Sequence, residues 1–429
     1  MSISSPRILR LDHQFNATLD ELESTDDHYF ITGRAGTGKS TLLRLWVRSS
    51  RKKLVVLAPT GAAALQVGGQ TIHSFFSFPP RMLEPGDLKL LRNRKLIKSL
   101  DAIIIDEISM VRADMLDNID AVLRLNRGVD LPFGGVQMVF FGDLFQLPPI
   151  VSNQVERLYL EEHYDSPYFF SAHVWDRGAH LVGIELTKIY RQEEQNFLRL
   201  LEEIRYDNSD SETLETINQR YRPEEPIPRH AITICARRYL ADAINLKRLR
   251  ALPVEPRIYQ AILTGNFSRS TSPAPTELIL KPGAQVMFVR NDPLKKYVNG
   301  TIGEVVSVSG ENILVSLPHE NHLKVEVVRC VWENIKYKID DNGEIKSEVT
   351  GTFEQFPLNL AWAITIHKSQ GMTFEQVNID MGGGAFDFGQ TYVALSRCTH
   401  LEGIYLRRPL REEDIQTDDR IVQFYRKMF

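Results

Sequence analysis

Cysteine is scarce in this chain: Cys235, Cys330 and Cys398 are the only three among 429 residues. No CxxC or Cys/His spacing suggests zinc, and a sparse, odd set argues for a reducing compartment over a disulfide framework. Long apolar runs are missing too; none reaches the ~18 residues of a membrane span. The N-terminus lacks the basic-then-apolar layout of a secretory leader. These absences predict a cytoplasmic protein with no membrane partner.

Charge of one sign is also not in excess. The net charge is −4, and charged residues make up an ordinary 25%. A nucleic-acid partner would therefore need a local basic groove, because the global field supplies no attraction. There is no internal repeat of fixed period and no long low-complexity tract. What is present is 43% hydrophobic residues, enough for two or three packed domains.

The first half alternates short apolar runs with helical patterns. HYFITG (28–33), KLVVLAPT (53–60), DAIIIDE (101–107) and QMVFFGD (137–143) read as buried strands. Apolar strands separated by helices predict a parallel sheet covered on both faces, with ligands at the carboxyl strand ends. A second α/β pattern starts after about residue 185, with AITICA (231–236) and FEQVNIDM (374–381) as its strands. GNFSRSTSPAPT (265–276) reads as a loop. The texture then changes to short alternating strands with turns at Asn299-Gly300 and Asp341-Asn342-Gly343. That predicts a small β-barrel inserted at about 285–355.

GRAGTGKS (33–40) fits the phosphate-loop pattern, follows a predicted strand and opens a helix. Gly33, Gly36 and Gly38 let backbone N–H groups close on phosphate oxygens, with Thr37 and Thr41 in the same run. Lys39 reaches the terminal phosphates of ATP, and the Ser40 hydroxyl coordinates Mg²⁺. Asp106 and Glu107 end an apolar strand. One carboxylate there can hold Mg²⁺ and the other can polarise the attacking water. Arg191 and Arg397 fall in the second α/β segment, from which an arginine can meet a nucleotide held by the first. Each alone would be a surface ion pair more often than not; the motif around it reverses that reading.

Joined together, these blocks resemble superfamily-one helicases of the Pif-one and RecD-like branch, compact bacterial or phage type. The matching runs are GRAGTGKST, APTGAAALQVGGQTIHSFF (58–76), IIIDEISMV (103–111), FGDLFQLPPI (141–150), LTKIYRQ (186–192), WAITIHKSQGMTF (362–374) and GQTYVALSRC (389–398). The segment 115–137, with PFGG (132–135) its most diagnostic part, resembles the stretch that sets Pif-one proteins apart.

The resemblance implies an α/β fold of two RecA-like parallel-sheet domains, 1–185 and 186–284 with 356–429. A wedge lies near 64–85 and a Src-homology-three-like barrel at 285–355. It implies Gln146 as the residue sensing the terminal phosphate, Tyr190 stacking on adenine and Gln14 reading the adenine edge. Gly371 and Gln390 also match nucleotide-site positions. It further implies a monomeric 5′-to-3′ motor on single-stranded DNA that opens duplex, forked or G-quadruplex DNA, or RNA–DNA hybrids.

For the DNA path, Thr60, Thr365, His367, Lys368 and Ser369 offer polar and charged contacts for phosphates. His73 and Phe75 offer faces for base stacking, with core packing the alternative for Phe75 and its neighbour Phe76. Pro148 lines the same path. Asn299, with Lys295 and Lys296, touches either the strand or only solvent. Three other readings stay open: a DNA-binding adaptor with a dead ATPase, a RecD-like subunit of a nuclease complex, and an RNA motor.

Overall fold

The computed structural model describes residues 13–429, except 80, 152, 191–193, 268–271, 311, 319–321, 341 and 343 and the side chains of Pro85 and Ile339. Six strands form the first sheet: β1 His28–Gly33, β2 Leu54–Ala58, β3 Gln70–Thr71, β4 Ala102–Ile105, β5 Gln137–Phe141 and β6 Leu181–Leu186. They run parallel in the order β3-β2-β4-β5-β1-β6.

Side-chain alternation explains the two covered faces. Tyr29, Ile31, Ile104, Val139 and Phe141 pack with Trp46, Leu42 and Leu43 of helix Lys39–Ser49. Phe30, Ile103, Ile105 and Phe140 pack on the opposite side with Leu116, Ile119 and Leu123 of helix Ala113–Arg127. PFGG closes the turn after that helix. Phe133 has φ 52°, its N–H donates to Asp120 at 2.6 Å, and its ring is wholly buried. A Cβ at Gly134 would stand 2.9 Å from the Leu123 carbonyl oxygen, so the close approach requires glycine.

A second parallel sheet has four strands in the order Ala363–Thr365, Ile232–Cys235, Val377–Asp380, Ile404–Leu406. The antiparallel insertion between its strands begins earlier than the alternation predicts. Arg257–Gln260 pairs with Glu277–Leu280, and Ile262–Gly265 pairs with Ile345–Gln355. Leu358–Leu360 also pairs with Gln285–Phe288. The insertion therefore spans about 257–360, and part of the turn at 341–343 lies outside the described residues.

The segment expected as a wedge near 64–85 is divided. Gln70–Thr71 is the edge strand of the first sheet, and helix Ile72–Phe76 sends Ile72, Phe75 and Phe76 into its core. Because β3 has only two residues, part of β2 lacks a strand neighbour. The hairpin Cys330–Gln355 covers that edge: the Val56 N–H donates to the Tyr337 hydroxyl at 3.4 Å, and the Tyr337 N–H donates to Gln70 Oε1 at 3.4 Å.

Candidate nucleotide site

Four adjacent strands, β4-β5-β1-β6, end at the same side of the first sheet, and each delivers part of one site. The phosphate loop leaves β1. Gly33, Gly36 and Gly38 have φ of 147°, 87° and 90°, conformations a side chain would strain. A Cβ at Gly33 would meet the Leu186 carbonyl at 2.6 Å, and one at Gly38 would meet the Phe15 ring at 2.9 Å. Lys39 Nζ donates to the Gly33 and Arg34 carbonyls at 2.6 and 3.1 Å. Thr37 is buried with its hydroxyl on the Arg34 carbonyl, Ser40 is exposed, and the Thr41 N–H closes the first turn on Gly38.

β6 brings Tyr190 to the same loop. Its N–H donates to the Gly36 carbonyl at 3.0 Å, and its half-exposed ring meets Phe15 edge-on. Gln14 precedes Phe15 in helix His13–Ser24. Its amide donates to the Glu185 carbonyl at 2.7 Å and accepts from the Thr187 N–H at 3.4 Å. Gln14, Phe15, Tyr190 and the phosphate loop thus share one corner. Arg191 lies outside the described residues.

β4 supplies Asp106 and Glu107. Burial raises both carboxyls above the usual range, and Asp106 raises Glu107 further; Lys39 opposes both shifts. Glu107 sits at φ 53°, a left-handed conformation that costs a non-glycine residue on the order of 1–3 kcal/mol. Arg397, from the second half, also opposes the rise at Glu107. Its guanidinium is buried and donates to the carbonyls of Val393, Ser369 and Met372 and to the Ser396 hydroxyl.

β5 leads to Asp143 and Gln146, both buried, with Gln146 Nε2 donating to Asp143 Oδ2 at 3.1 Å. The second half closes over them. A Cβ at Gly389 would stand 2.3 Å from the Gln146 carbonyl oxygen, so glycine is required at this crossing. Beside it, Gln390 is buried with Oε1 accepting from the Phe386 N–H, while its Nε2 has no hydrogen-bond partner within the protein. An orphaned donor at the seam is what a bound phosphate would satisfy. Gly371, at φ 74°, lies against Gln66 of the first half.

The residues expected along a nucleic-acid path are distributed over both halves. Thr60 follows β2 and caps helix Gly61–Val67 by accepting the Ala63 N–H; Thr365 ends a strand of the second sheet and accepts the Lys368 N–H. His73, Pro148 and Asn299 are half-buried, and His367 and Lys368 are exposed. Asn299 Oδ1 has no partner within the protein, and neighbouring Gly300 faces Met372.

Two expectations are overturned. Phe75 is 2% exposed and packs edge-on against Phe76, so its ring belongs to the core and offers no stacking face. Ser369 is fully buried with its hydroxyl donating to the Ile366 carbonyl, so it shapes the loop from inside. Sequence reasoning passed over Asp143, Arg34, Glu202, Arg205 and Tyr392. Asp143, Arg34 and Tyr392 carried a signal, standing in the GDLFQ, GRAGTGKS and GQTYVALSRC runs; Glu202 and Arg205 carried none.

A phosphate loop, a second strand-end carboxylate pair and an arginine offered across a seam between two parallel sheets define a two-lobed phosphate-loop ATPase. The family model of PIF1-like helicases matches residues 13–213. The chain is 31% identical to the ATP-dependent DNA helicase Pif1 of Bdellovibrio bacteriovorus, across 98% of this chain and 92% of that protein. It is 32% identical to the Xenopus laevis ATP-dependent DNA helicase PIF1, across all of this chain but 66% of that longer protein.

Bacteroides sp. Pif1 in complex with ADP-AlF4 superposes with a TM-score of 0.89 at 38% identity, covering 97% of this chain and 96% of that one. The same protein bound to single-stranded DNA gives 0.70 at 39%, with the same coverage. The chain belongs to the PIF1-like helicase family, and is with it a helicase and ATP hydrolase.

Proposed function

We propose that this chain is an ATP-driven 5′-to-3′ motor on single-stranded DNA that opens duplex and forked substrates, acting through the residues gathered at the four strand ends. The observation that carries it is the composite charge: the half-buried Asp106–Glu107 pair from one half within electrostatic range of buried Arg397 from the other. ATP lies on the phosphate loop with its base beside Tyr190 and Gln14. Glu107 takes the proton of the attacking water. Lys39, Gln146 and Arg397 then meet the charge that develops on the terminal phosphate, with Arg191 a second arginine for that role.

Mg²⁺ fits beside Ser40 and Asp106, because burial and mutual repulsion disfavour the charged forms of the two adjacent carboxyls, and a divalent cation there would favour them again. Bound there, it would neutralise charge on the phosphates. Gly33, Gly36, Gly38, Thr37, Thr41, Gly371 and Gln390 shape the phosphate pocket. Since Arg397 and Gln390 come from the second half, nucleotide turnover biases closure of one lobe on the other. The strand then runs over Thr60, His73, Pro148, Thr365, His367, Lys368 and Asn299.

The DNA-bound Bacteroides relative supports single-stranded DNA as the ligand. G-quadruplexes, RNA–DNA hybrids, a monomeric state and a bacterial cytoplasmic setting belong to the same proposal. Among the described residues no helix is long and apolar enough to cross a membrane. Opening DNA costs about 1.4 kcal/mol per base-pair step, within reach of one ATP per base.

The test is steady-state ATPase with and without single-stranded DNA, for wild type, Lys39→Ala and Glu107→Gln, followed by unwinding of forks with 5′ or 3′ tails. Strong stimulation by DNA, lost in both variants, with preference for 5′ tails is the expected result. Turnover indifferent to DNA would overturn the motor.

A further inference from the structure

Helix Gln195–Arg205 carries two charged side chains, one turn apart, into the nucleotide end of the first sheet. Glu202 accepts from Arg34 Nε of the phosphate loop at 2.6 Å. Arg205 is 1% exposed. Its guanidinium donates to Asp143 Oδ1 at 3.4 Å and to the Tyr425 hydroxyl at 3.2 Å, and lies 4.2 Å over the Phe145 ring. Tyr425, in turn, shares a hydrogen bond with Thr32 of β1. A large cation held in the core by Asp143, with Glu202 and Glu185 at 3.8 and 3.9 Å and three aromatic rings around it, is costly unless it orders something.

What it orders is Asp143. That carboxylate is fully buried, and each of its two oxygens takes one partner from the run that follows β5 and one from beyond residue 185. Oδ1 takes the Phe145 N–H and Arg205. Oδ2 takes the Gln146 amide at 3.1 Å and the Tyr392 hydroxyl at 3.5 Å. Tyr392 belongs to helix Gln390–Leu395 of the second half, and its hydroxyl accepts the N–H of Ala35 in the phosphate loop at 3.3 Å. One carboxylate therefore fixes the Gln146 side chain, the phosphate-loop backbone and the helix that leads to Arg397.

We propose that Arg205 is a positioning residue for ATP hydrolysis: by pairing with Asp143 it holds the Gln146 amide and the Tyr392–Ala35 link in register across the seam between the lobes. This rests on the reading of Gln146 as the group that meets the terminal phosphate. Arg205 touches neither nucleotide nor water itself. Its loss leaves Asp143 without its cation, and Gln146 is freed to turn away from the phosphate loop. Misplacement of a catalytic group by about 1 Å can cost on the order of 10²-fold in rate.

The experiment measures ATPase at saturating single-stranded DNA, KM for ATP and affinity for fluorescent ADP in Arg205→Gln, Arg205→Lys, Asp143→Asn, Tyr392→Phe and Asp143→Asn/Arg205→Gln. We expect kcat to fall about 10- to 100-fold in Arg205→Gln, with ADP affinity and KM within about twofold. Arg205→Lys should recover part of that loss. The double variant should lose no more than the worse single one, as members of one unit do. Tyr392→Phe deletes a single hydroxyl, leaves no cavity and should lower kcat in the same direction.

Wild-type kcat in Arg205→Gln and Tyr392→Phe would overturn the proposal. So would a parallel fall of kcat and ADP affinity that tracks a loss of folded protein. A wild type without DNA-stimulated turnover would sink the motor reading instead, a separate failure.

Discussion

The two parallel sheets end in the same device and then diverge. Thr60 after β2 and Thr365 in the second sheet each leave a strand in extended conformation and cap a short helix with the hydroxyl. Beyond that likeness, the first sheet gathers negative charge, with Asp106 and Glu107 raised by burial at its carboxyl edge. The second contributes a buried cation, Arg397, and a buried amide donor on Gln390 without a protein partner. Neither sheet holds a complete site. Under the function proposed above, a hydrolytic centre split this way is complete only when the halves meet, and domain movement becomes a condition of chemistry.

Removing the cation should give the largest effect. Arg397→Ala is expected to lower DNA-stimulated kcat by about 10³–10⁵-fold, with ADP bound by the first sheet nearly as before. Arg397 also holds the Ser369 and Met372 carbonyls, so Arg397→Lys and a melting curve separate lost chemistry from lost packing. Unchanged turnover in the alanine variant would show that the seam contributes no charge to the reaction.

On the opposite side, Glu107→Gln should cost about 10²–10⁴-fold in kcat without lowering the melting temperature. The substitution removes a carboxylate that its neighbour Asp106 repels. The same burial and repulsion should make wild-type ATPase decline on the acid side at higher pH than an ordinary carboxylate would dictate. A stability loss in Glu107→Gln would mean that the acid holds the fold and is not kept there for chemistry.

A third test asks how much of the first sheet's stability is sensitive to pH. His28 at the start of β1 accepts the Met138 N–H on Nδ1 at 3.1 Å and lies 5.0 Å from the Phe133 ring. Burial lowers its pKa to about 4. The unfolded chain binds a proton at about 6.5 while the folded chain does not, so stability should fall as pH drops from about 6.5 to about 4. The loss should reach roughly 2–3 kcal/mol and be absent in His28→Gln, as read by urea titrations across that range. An identical pH slope in wild type and variant would assign the loss to other groups.

The legible part of the molecule is the part written in local pattern. β1 follows HYFITG to the residue, and the phosphate loop carries its glycines at the positive φ values its pattern demands. The boundaries of the insertion were less legible, because Arg257–Gln260 and Ile262–Gly265 are short, largely exposed strands whose partners lie 17 to 92 residues away. Phe75 and Ser369 show another limit: a motif places a residue in a short helix after a strand, but side-chain direction is settled by packing from elements far along the chain. The Asp143–Arg205 pair was invisible for the same reason. Its partners are 62 residues apart, and an arginine at the end of an amphipathic helix ordinarily faces water.

The smallest expected effects bear on the likeness of the two sheets themselves. Thr60→Ala and Thr365→Ala each remove a cap hydroxyl, which costs about 0.5–2 kcal/mol of stability. If the two caps serve only their helices, Thr→Ser should restore stability and neither change should alter affinity for single-stranded DNA. If each hydroxyl also donates to a backbone phosphate, both alanine variants should weaken DNA binding by a similar factor, and serine should restore it in both. Fluorescence anisotropy with a short oligonucleotide, read without nucleotide and with ADP, distinguishes the cases. A loss confined to Thr60→Ala would mean that the first sheet alone grips the strand. A motor needs two grips, one on each moving half, so a matched loss at the two threonines is the outcome that ties the seam between the sheets to movement along DNA.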